Sequence, residues 1–301
     1  MAQLIKLENY ISRYEQDPFH YPSQYMRLKQ EQWQQLRHTF ENPVVPEQIE
    51  EPKEETSFFN QWRKRKKDTD ENVVDDEPIQ ALPKTEEQLK VYYLNQLYQF
   101  QLKWASSTIT QMSFIDRMYE DDLVLKYLLQ RFPDTYLVMY HPIFHLKKAE
   151  VEADIIIITP FDIYIIKLVE FSSDMKIIAG DDRQWQKEEK SVRSNFISPL
   201  LSLKRTEKIV KSILNYKEVD MPVTKIVLSR SNVIDYHLEP FQTIYIGKNI
   251  HEDWVLKQRQ LKTTLKHKQL KVIDALLSFS DTVSFNRPEW QREDSDQFNW
   301  E

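Results

Sequence analysis

Four consecutive isoleucines at positions 155–158 constrain the fold of this 301-residue chain more than any other feature. Isoleucine favours extended backbone, and an unbroken apolar run between turn residues is typical of a strand buried on both faces. Other strand-like segments lie at 136–144, 163–169, 175–178, 223–229 and 242–246, and segments with helical spacing lie at 113–131, 199–216 and 253–279. We therefore predict an α/β domain over residues 113–280, with a mixed central sheet flanked by helices.

Helical spacing of apolar residues predicts an α-helical region before this domain. Residues 1–40 contain two such stripes and so predict two helices, marked by Leu4, Leu7, Ile11 and Tyr14 and by Met26, Trp33, Leu36 and Phe40. Residues 86–112 predict one aromatic amphipathic helix, one face of which carries Leu89, Tyr93, Leu97, Phe100 and Trp104.

Residues 41–85 are rich in proline and carboxylates, which predicts a flexible linker because little apolar surface is available to offset the entropy of ordering. Five consecutive basic residues follow an aromatic group inside it: Arg63, Lys64, Arg65, Lys66 and Lys67. Residues 58–67 suit contact with nucleic acid, an anionic lipid surface or an acidic protein. A solvated segment that balances the acidic flanks is the alternative. Residues 281–301 are predicted to form a loose tail.

The chain has no cysteine and only two glycines, Gly180 and Gly247. It therefore has no disulfide and no cysteine-ligated metal, and it lacks the glycines that a Rossmann or P-loop phosphate site requires. The first residues do not resemble a signal peptide, and the longest apolar run is too short to cross a bilayer. These observations predict a cytoplasmic protein without a transmembrane segment.

Two smaller patterns carry chemistry of their own. Lys204, Lys208 and Lys211 lie on one face of a predicted helix, where they are candidates for contacts with phosphates. An ordinary solvated helix face is the alternative. His141 and His145 share one face of a predicted strand, but the sequence shows no third ligand beside them, so we do not predict a zinc site.

The segment around the isoleucines resembles a known family. Glu152–Asp154, the isoleucines, the Thr159–Pro160 turn and the strand 162–166 are similar to the pattern of the nuclease-related domain (NERD) family. That pattern is a Glu-Ile-Asp strand, a glycine-centred turn and a strand ending in Glu-x-Lys. The flanks agree at four further places: the acidic group 120–122, the segment 176–178, Trp185, and Ser198 before Pro199. The resemblance covers about residues 113–250.

This resemblance implies a restriction-endonuclease-like core of the PD-(D/E)xK superfamily. In active members an aspartate and a glutamate hold Mg²⁺, and a lysine activates the attacking water. Asp154 matches the aspartate, whereas Lys167 stands where the glutamate is expected and Val169 where the lysine is expected. Asp162 replaces the glycine of the turn. We expect Asp154 and Lys167 to lie on neighbouring strands and to form an ion pair.

Two functions remain open at this point. The first is a catalytically inactive, nuclease-related binding or scaffold module, with an unidentified protein partner, possible contact with nucleic acid or a membrane surface through 58–67, and no cofactor. The second is a Mg²⁺-dependent nuclease acting on DNA or RNA through a rearranged site. In that site Lys167 is the catalytic lysine, Glu120, Glu152 and Asp154 are the acids, and Asp154 binds the metal.

Overall fold

The computed structural model describes residues 1–42, 83–146, 149–261 and 263–287. The predicted linker lies almost entirely outside these ranges, and so do its basic residues 63–67. The chain divides into two compact units, Met1–Lys29 with Leu94–Glu301 and the smaller Gln30–Tyr93.

The helices are α1 (Tyr21–Glu41), α2 (Glu86–Trp104), α3 (Leu123–Arg131), α4 (Leu200–Tyr216), α5 (Lys248–Gln260) and α6 (His267–Leu277). The strands are β1 (Gln3–Leu7), β2 (Gln111–Met112), β3 (Leu137–Tyr140), β4 (Ile143–Leu146), β5 (Ala149–Glu152), β6 (Ile155–Ile158), β7 (Ile163–Leu168), β8 (Lys176–Ile178), β9 (Gln184–Glu189), β10 (Val192–Ile197), β11 (Val223–Leu228), β12 (Ile234–Asp235), β13 (Thr243–Ile246) and β14 (Phe285–Asn286). Among the described helices, none combines the length and apolar character needed to cross a membrane.

The smaller unit contains the end of α1 and the start of α2. In it the rings of Trp33 and Tyr93 lie 5.2 Å apart between centroids. The second helix predicted within residues 1–40 is confirmed as α1. The aromatic helix is confirmed only as far as Trp104, since the hydroxyls of Ser106 and Ser107 bond the carbonyls of Leu102 and Lys103 and the chain then turns into β2.

The larger unit is built on a six-stranded mixed sheet in the order β1-β3-β6-β7-β11-β13. Strand β6 runs antiparallel to both of its neighbours, and the remaining pairs are parallel. All four isoleucines of β6 are at most 2% exposed, so the prediction of a strand buried on both faces is confirmed. Helices α4 and α6 pack on one face, while α3 and α5 contribute to the core on the other. The predicted fold class is confirmed.

Strand β1 corrects the sequence interpretation, which placed a helix there. All five of its residues are buried, with Ile5 in the core on one face of the sheet and Leu4 and Leu7 in the core on the other. A strand covered on both faces shows no alternation of apolar and polar residues, so the spacing of its leucines imitates a helix. Parallel pairing with β3 decided the outcome.

A second sheet, in the order β10-β9-β8-β12, contains a hairpin that the sequence analysis missed. Strands β9 and β10 are mostly polar, so they lack an apolar pattern that would identify them. Their turn has Lys190 and Ser191 at φ 47° and 68°. Positive φ at both central residues is typical of a two-residue type I′ hairpin turn, here made without glycine or asparagine.

Two boundaries also differ from prediction. The helix expected over 113–131 begins only at Leu123, because the side chain of Asp122 accepts hydrogen bonds from the first-turn amides. The predicted loose tail is fixed over residues 281–287, where the Asp281 amide donates to the Ile143 carbonyl at 2.7 Å and the Val283 amide to Asn9 at 2.8 Å. Residues 288–301 lie outside the described part of the chain.

Candidate functional site

Asp154 and Lys167 meet where the two middle strands of the central sheet, β6 and β7, begin and end. Asp154 directly precedes β6, and Lys167 lies near the end of β7. The antiparallel register pairs Ile155 with Ile166, which brings the two side chains to the same level. The Lys167 Nζ atom lies 3.0 Å from Oδ1 of Asp154, so the predicted pairing of these residues is confirmed.

The turn between the two strands explains this register. The amide of Thr159 donates to the Asp162 carbonyl at 2.9 Å, and the Asp162 amide donates to the Thr159 hydroxyl at 2.9 Å. Asp162 does not have a positive φ. A side chain is therefore tolerated where the resembled family has glycine.

The second oxygen of Asp154 is also occupied. The Thr206 hydroxyl donates to Oδ2 at 3.0 Å and accepts from the Asp154 amide at 3.1 Å. The Asp154 side chain is only 3% exposed, so these partners stabilise a carboxylate that water barely reaches. Thr206 was not among the predicted site residues, although a polar residue in the apolar stripe of α4 is a usable signal.

The next residue of the helix, Glu207, links α4 to β11. Its carboxylate accepts from Lys211 Nζ at 2.8 Å and from the nearly buried Lys225 Nζ at 2.7 Å. Burial by itself would raise the pKa of Glu207, but the hydrogen bonds from Lys211 and Lys225 outweigh it and hold the pKa below its ordinary value. Of the predicted phosphate contacts, Lys211 is thus engaged by Glu207, Lys204 pairs with Asp182, and Lys208 is exposed.

The other two predicted acids lie apart from Asp154. Glu152 is exposed, and its carboxylate lies 3.4 Å from Nδ1 of His141. Glu120 is exposed in a 3-10 turn, whereas Asp122 turns inward and accepts from the Tyr140 hydroxyl at 2.9 Å. Among the residues that the structure describes, Asp154 joins neither acid in a group of three potential metal ligands.

These contacts test whether the residues fit the Mg²⁺ ion that the family pattern implies. Mg²⁺ binds through one or two carboxylates, and the family pattern supplies it with an aspartate and a glutamate. Here both oxygens of Asp154 have partners, and an ammonium occupies the place of the second acid. The donor set does not fit a magnesium site.

An open groove of about 600 Å³ lies beside this pair. Its polar lining consists of Lys167, Arg205, Ser198 and Ser202, and its apolar lining of Val169, Phe196, Ile197, Pro199 and Leu201. The Arg205 guanidinium donates to the Glu152 carbonyl at 3.2 Å. Two cations and two hydroxyls beside the start of α4 favour an anionic ligand, because the first turn of a helix carries partial positive charge.

A second polar cluster, also missed by the sequence analysis, follows the ends of β7 and β11. Arg230 donates to both carboxylate oxygens of Glu170 at 2.7 Å, and its guanidinium carbon lies 4.9 Å from the centre of the Tyr127 ring. The Tyr127 hydroxyl bonds Nε2 of His251. Hydrogen bonds from Arg230 lower the pKa of Glu170, and burial lowers the pKa of His251. Glu170 therefore supports Arg230 and does not replace the missing acid.

Comparison with known proteins gives two findings. Residues 118–229 match the model of a family described as nuclease-related domain. A stretch of 41 residues is 54% identical to an RNA 2',3'-cyclic phosphodiesterase from Geobacillus stearothermophilus. This stretch covers 14% of the chain and 13% of that protein, so most of the relative has no counterpart in the match. No solved structure matches the chain.

Proposed function

Because residues 118–229 match the model of the nuclease-related domain family, we propose that the chain binds nucleic acid beside Asp154 without cleaving it. In this proposal the chain is an inactive binding module, and the groove beside Lys167 and Arg205 receives the phosphate backbone. The observation that carries the proposal is the Asp154 carboxylate, which is held by Lys167 on one oxygen and by Thr206 on the other.

The charges at the site support the proposed absence of cleavage. Metal-assisted hydrolysis requires carboxylates that hold a cation and a group that activates water. Lys167 competes with any cation for the one buried carboxylate, and Val169 supplies no polar atom where the family has its lysine. The side chains at this site are therefore better suited to binding an anion than to binding a divalent cation.

The choice of nucleic acid follows from the lining of the groove. Lys167 is 39% exposed, so its ammonium is within reach of a ligand while it contacts Asp154. Lysine and arginine bind phosphodiester groups in any sequence context, and aromatic or aliphatic walls such as Phe196 suit unpaired bases. The short match to a protein named for RNA 2',3'-cyclic phosphodiesterase activity makes single-stranded RNA the first ligand to test.

The test is fluorescence anisotropy with labelled single- and double-stranded RNA and DNA, run in Mg²⁺ and again in EDTA, with gel analysis of each ligand afterwards. We expect binding in both buffers and intact ligands. The double variant Lys167→Met/Arg205→Gln should weaken binding and lower the slope of log affinity against log salt by about 1 to 2, since two phosphate contacts are lost. Lys176→Met removes a half-exposed lysine of the second sheet and is the matched control.

Two outcomes contradict the proposal. Absence of binding to all four ligands, or equal binding by the double variant and the control, would exclude the groove as a nucleic-acid site. Metal-dependent cleavage that disappears in Asp154→Ala would instead support the rearranged nuclease, with Lys167 in the catalytic role.

A further inference from the structure

Strands β4 and β5 form a short hairpin that carries a histidine and a glutamate opposite each other. His145 on β4 pairs in register with Glu150 on β5, and their side chains lie on the same face of the hairpin. Asp281, more than a hundred residues later in the chain, follows α6 and reaches this face. One ligand atom from each of the three residues lies within 4.8 Å of the other two.

We propose that His145, Glu150 and Asp281 bind one divalent transition-metal ion, of which zinc is the best fit. An imidazole nitrogen with two carboxylate oxygens is a donor set that zinc accepts, and the combined charge of the side chains opposes that of the ion. None of the three residues is Asp154 or lines the proposed nucleic-acid groove.

Backbone hydrogen bonds hold His145 and Asp281 in place, and the pairing of β5 with β4 holds Glu150. The His145 amide donates to the Phe279 carbonyl at 3.0 Å, and the Asp281 amide donates to the Ile143 carbonyl at 2.7 Å. A bridge between Phe144 and Ser280 lies between these two bonds. The hairpin and the segment after α6 are therefore joined directly at the site, and little backbone movement is needed to close it around an ion.

The side chains are also available to a metal. Across the described residues, neither the His145 ring nor the Glu150 carboxylate has a hydrogen bond or an ion pair, and only Asp281 has a partner, at 3.4 Å from Asn9 Nδ2 to Oδ2. A hydrogen bond of this kind orients a ligating carboxylate and leaves its other oxygen free. Lys6, a cation close to Asp281, is engaged by Glu15 and Thr282.

The exposure of the three ligands indicates whether the zinc site is structural or exchangeable. His145 and Glu150 are exposed and Asp281 is partly buried, so water can complete the coordination. Three protein ligands with an open position resemble a catalytic or exchangeable zinc site more than a closed structural one. We therefore expect reversible binding that does not determine whether the chain folds.

The experiment uses the full-length protein, freed of metal with a chelator, and titrates it with Co²⁺ alone and then with Zn²⁺ in competition. We expect one Co²⁺ ion per chain with visible d–d absorption, displaced by Zn²⁺. His145→Gln and Glu150→Gln should each weaken binding at least tenfold, because loss of a group that only orients a metal ligand already costs about 10–100-fold.

Three variants serve as controls. Glu152→Gln removes the next carboxylate on the same face of β5, His237→Gln removes an exposed histidine elsewhere, and Asp154→Asn alters the other candidate site. All three should bind Co²⁺ as the wild type does, with unchanged circular dichroism. Equal weakening by Glu150→Gln and Glu152→Gln, or unchanged binding by His145→Gln, would overturn the proposal. Loss of binding in Asp154→Asn would place the metal at the family site and contradict the proposed function as well.

Discussion

At the scale of single residues, the pairing of Asp154 with Lys167 joins a buried carboxylate to a lysine that is partly in solvent. Their side chains are 3% and 39% exposed. An ion pair of this kind is not strong evidence of net stabilisation, because removing the carboxylate from water is costly. Removal of one partner is a sharper test, since it leaves the other charge buried.

We predict that Lys167→Met destabilises the protein by about 1–3 kcal/mol, the usual cost of a buried polar group that loses its partner. Adding Asp154→Asn should recover part of this loss, because the amide is uncharged and still accepts from Thr206. The free energy of unfolding in urea at neutral pH measures both effects. Lys176→Met, at a half-exposed pair with Asp235, should change stability by less than about 0.5 kcal/mol. Equal effects of the two lysine variants would contradict the prediction.

At the scale of elements, His251 connects two helices on one face of the sheet. It lies in the first turn of α5, and its Nε2 atom bonds the Tyr127 hydroxyl of α3. Burial lowers the pKa of His251 in the folded state, with Glu252 as the nearest opposing charge and Arg131 and Arg230 adding to the effect. The folded protein therefore favours the neutral ring.

This shift gives stability a pH dependence of known sign. Well above the ordinary histidine pKa of 6.5 the ring is neutral in both states and does not affect the equilibrium. As pH falls below 6.5 the unfolded chain takes up a proton that the folded chain resists, so stability decreases. Glu170, whose folded pKa is lowered, contributes stability above 4.5 that is lost only at lower pH.

We predict that His251→Gln flattens the dependence of the free energy of unfolding on pH between about pH 5 and pH 7. The measurement is urea unfolding across this range for wild type and variant. His237→Gln, at an exposed histidine, should leave the slope of the wild type unchanged. A slope retained in His251→Gln would show that another group causes it.

At the scale of the whole larger unit, the beginning and the end of the described chain are joined. Residues 281–287 contact β1 and the residues next to β2. The Thr282 hydroxyl accepts from Lys6 at 2.8 Å, the Val283 carbonyl accepts from the Ser113 hydroxyl at 2.6 Å, and the Arg287 amide donates to the Thr110 carbonyl at 2.9 Å. This segment therefore links the last described residues to the first strand, over a separation of 276 positions between Lys6 and Thr282.

We predict that a chain ending after residue 280 is less stable than one ending after residue 287 by about 2–5 kcal/mol, because several hydrogen bonds of about 0.5–1.5 kcal/mol each are lost. Comparison of the two truncated chains by urea unfolding isolates these seven residues. Thr282→Val in the longer chain, which removes only the hydroxyl beside Lys6, should cost about 1 kcal/mol. Equal stability of the two chains would contradict the structural role of the segment.

The local sequence pattern was sufficient to predict the structure in the middle of the domain. The isoleucine run, the Thr159–Asp162 turn and the strand after it determined the β6–β7 hairpin, and the register placed Asp154 opposite Lys167. Sequence reasoning succeeds here because both strands and their turn are contiguous, so the side-chain alternation along one strand sets the face of the other. The presence of a lysine at position 167, where the family pattern has a glutamate, is likewise visible in the amino-acid sequence alone.

Tertiary structure alone decided the contacts made over long sequence separations. Strand β1 is extended because β3 pairs with it, and Thr206 and Asp281 lie at their sites because α4 and the segment after α6 pack there. None of these residues carries a local signal of its partner, since a hydrogen bond or a shared ligand position depends on distance in space and not on neighbours in the chain. For that reason the sequence showed His145 without its two carboxylates, and only the folded chain brings the three together.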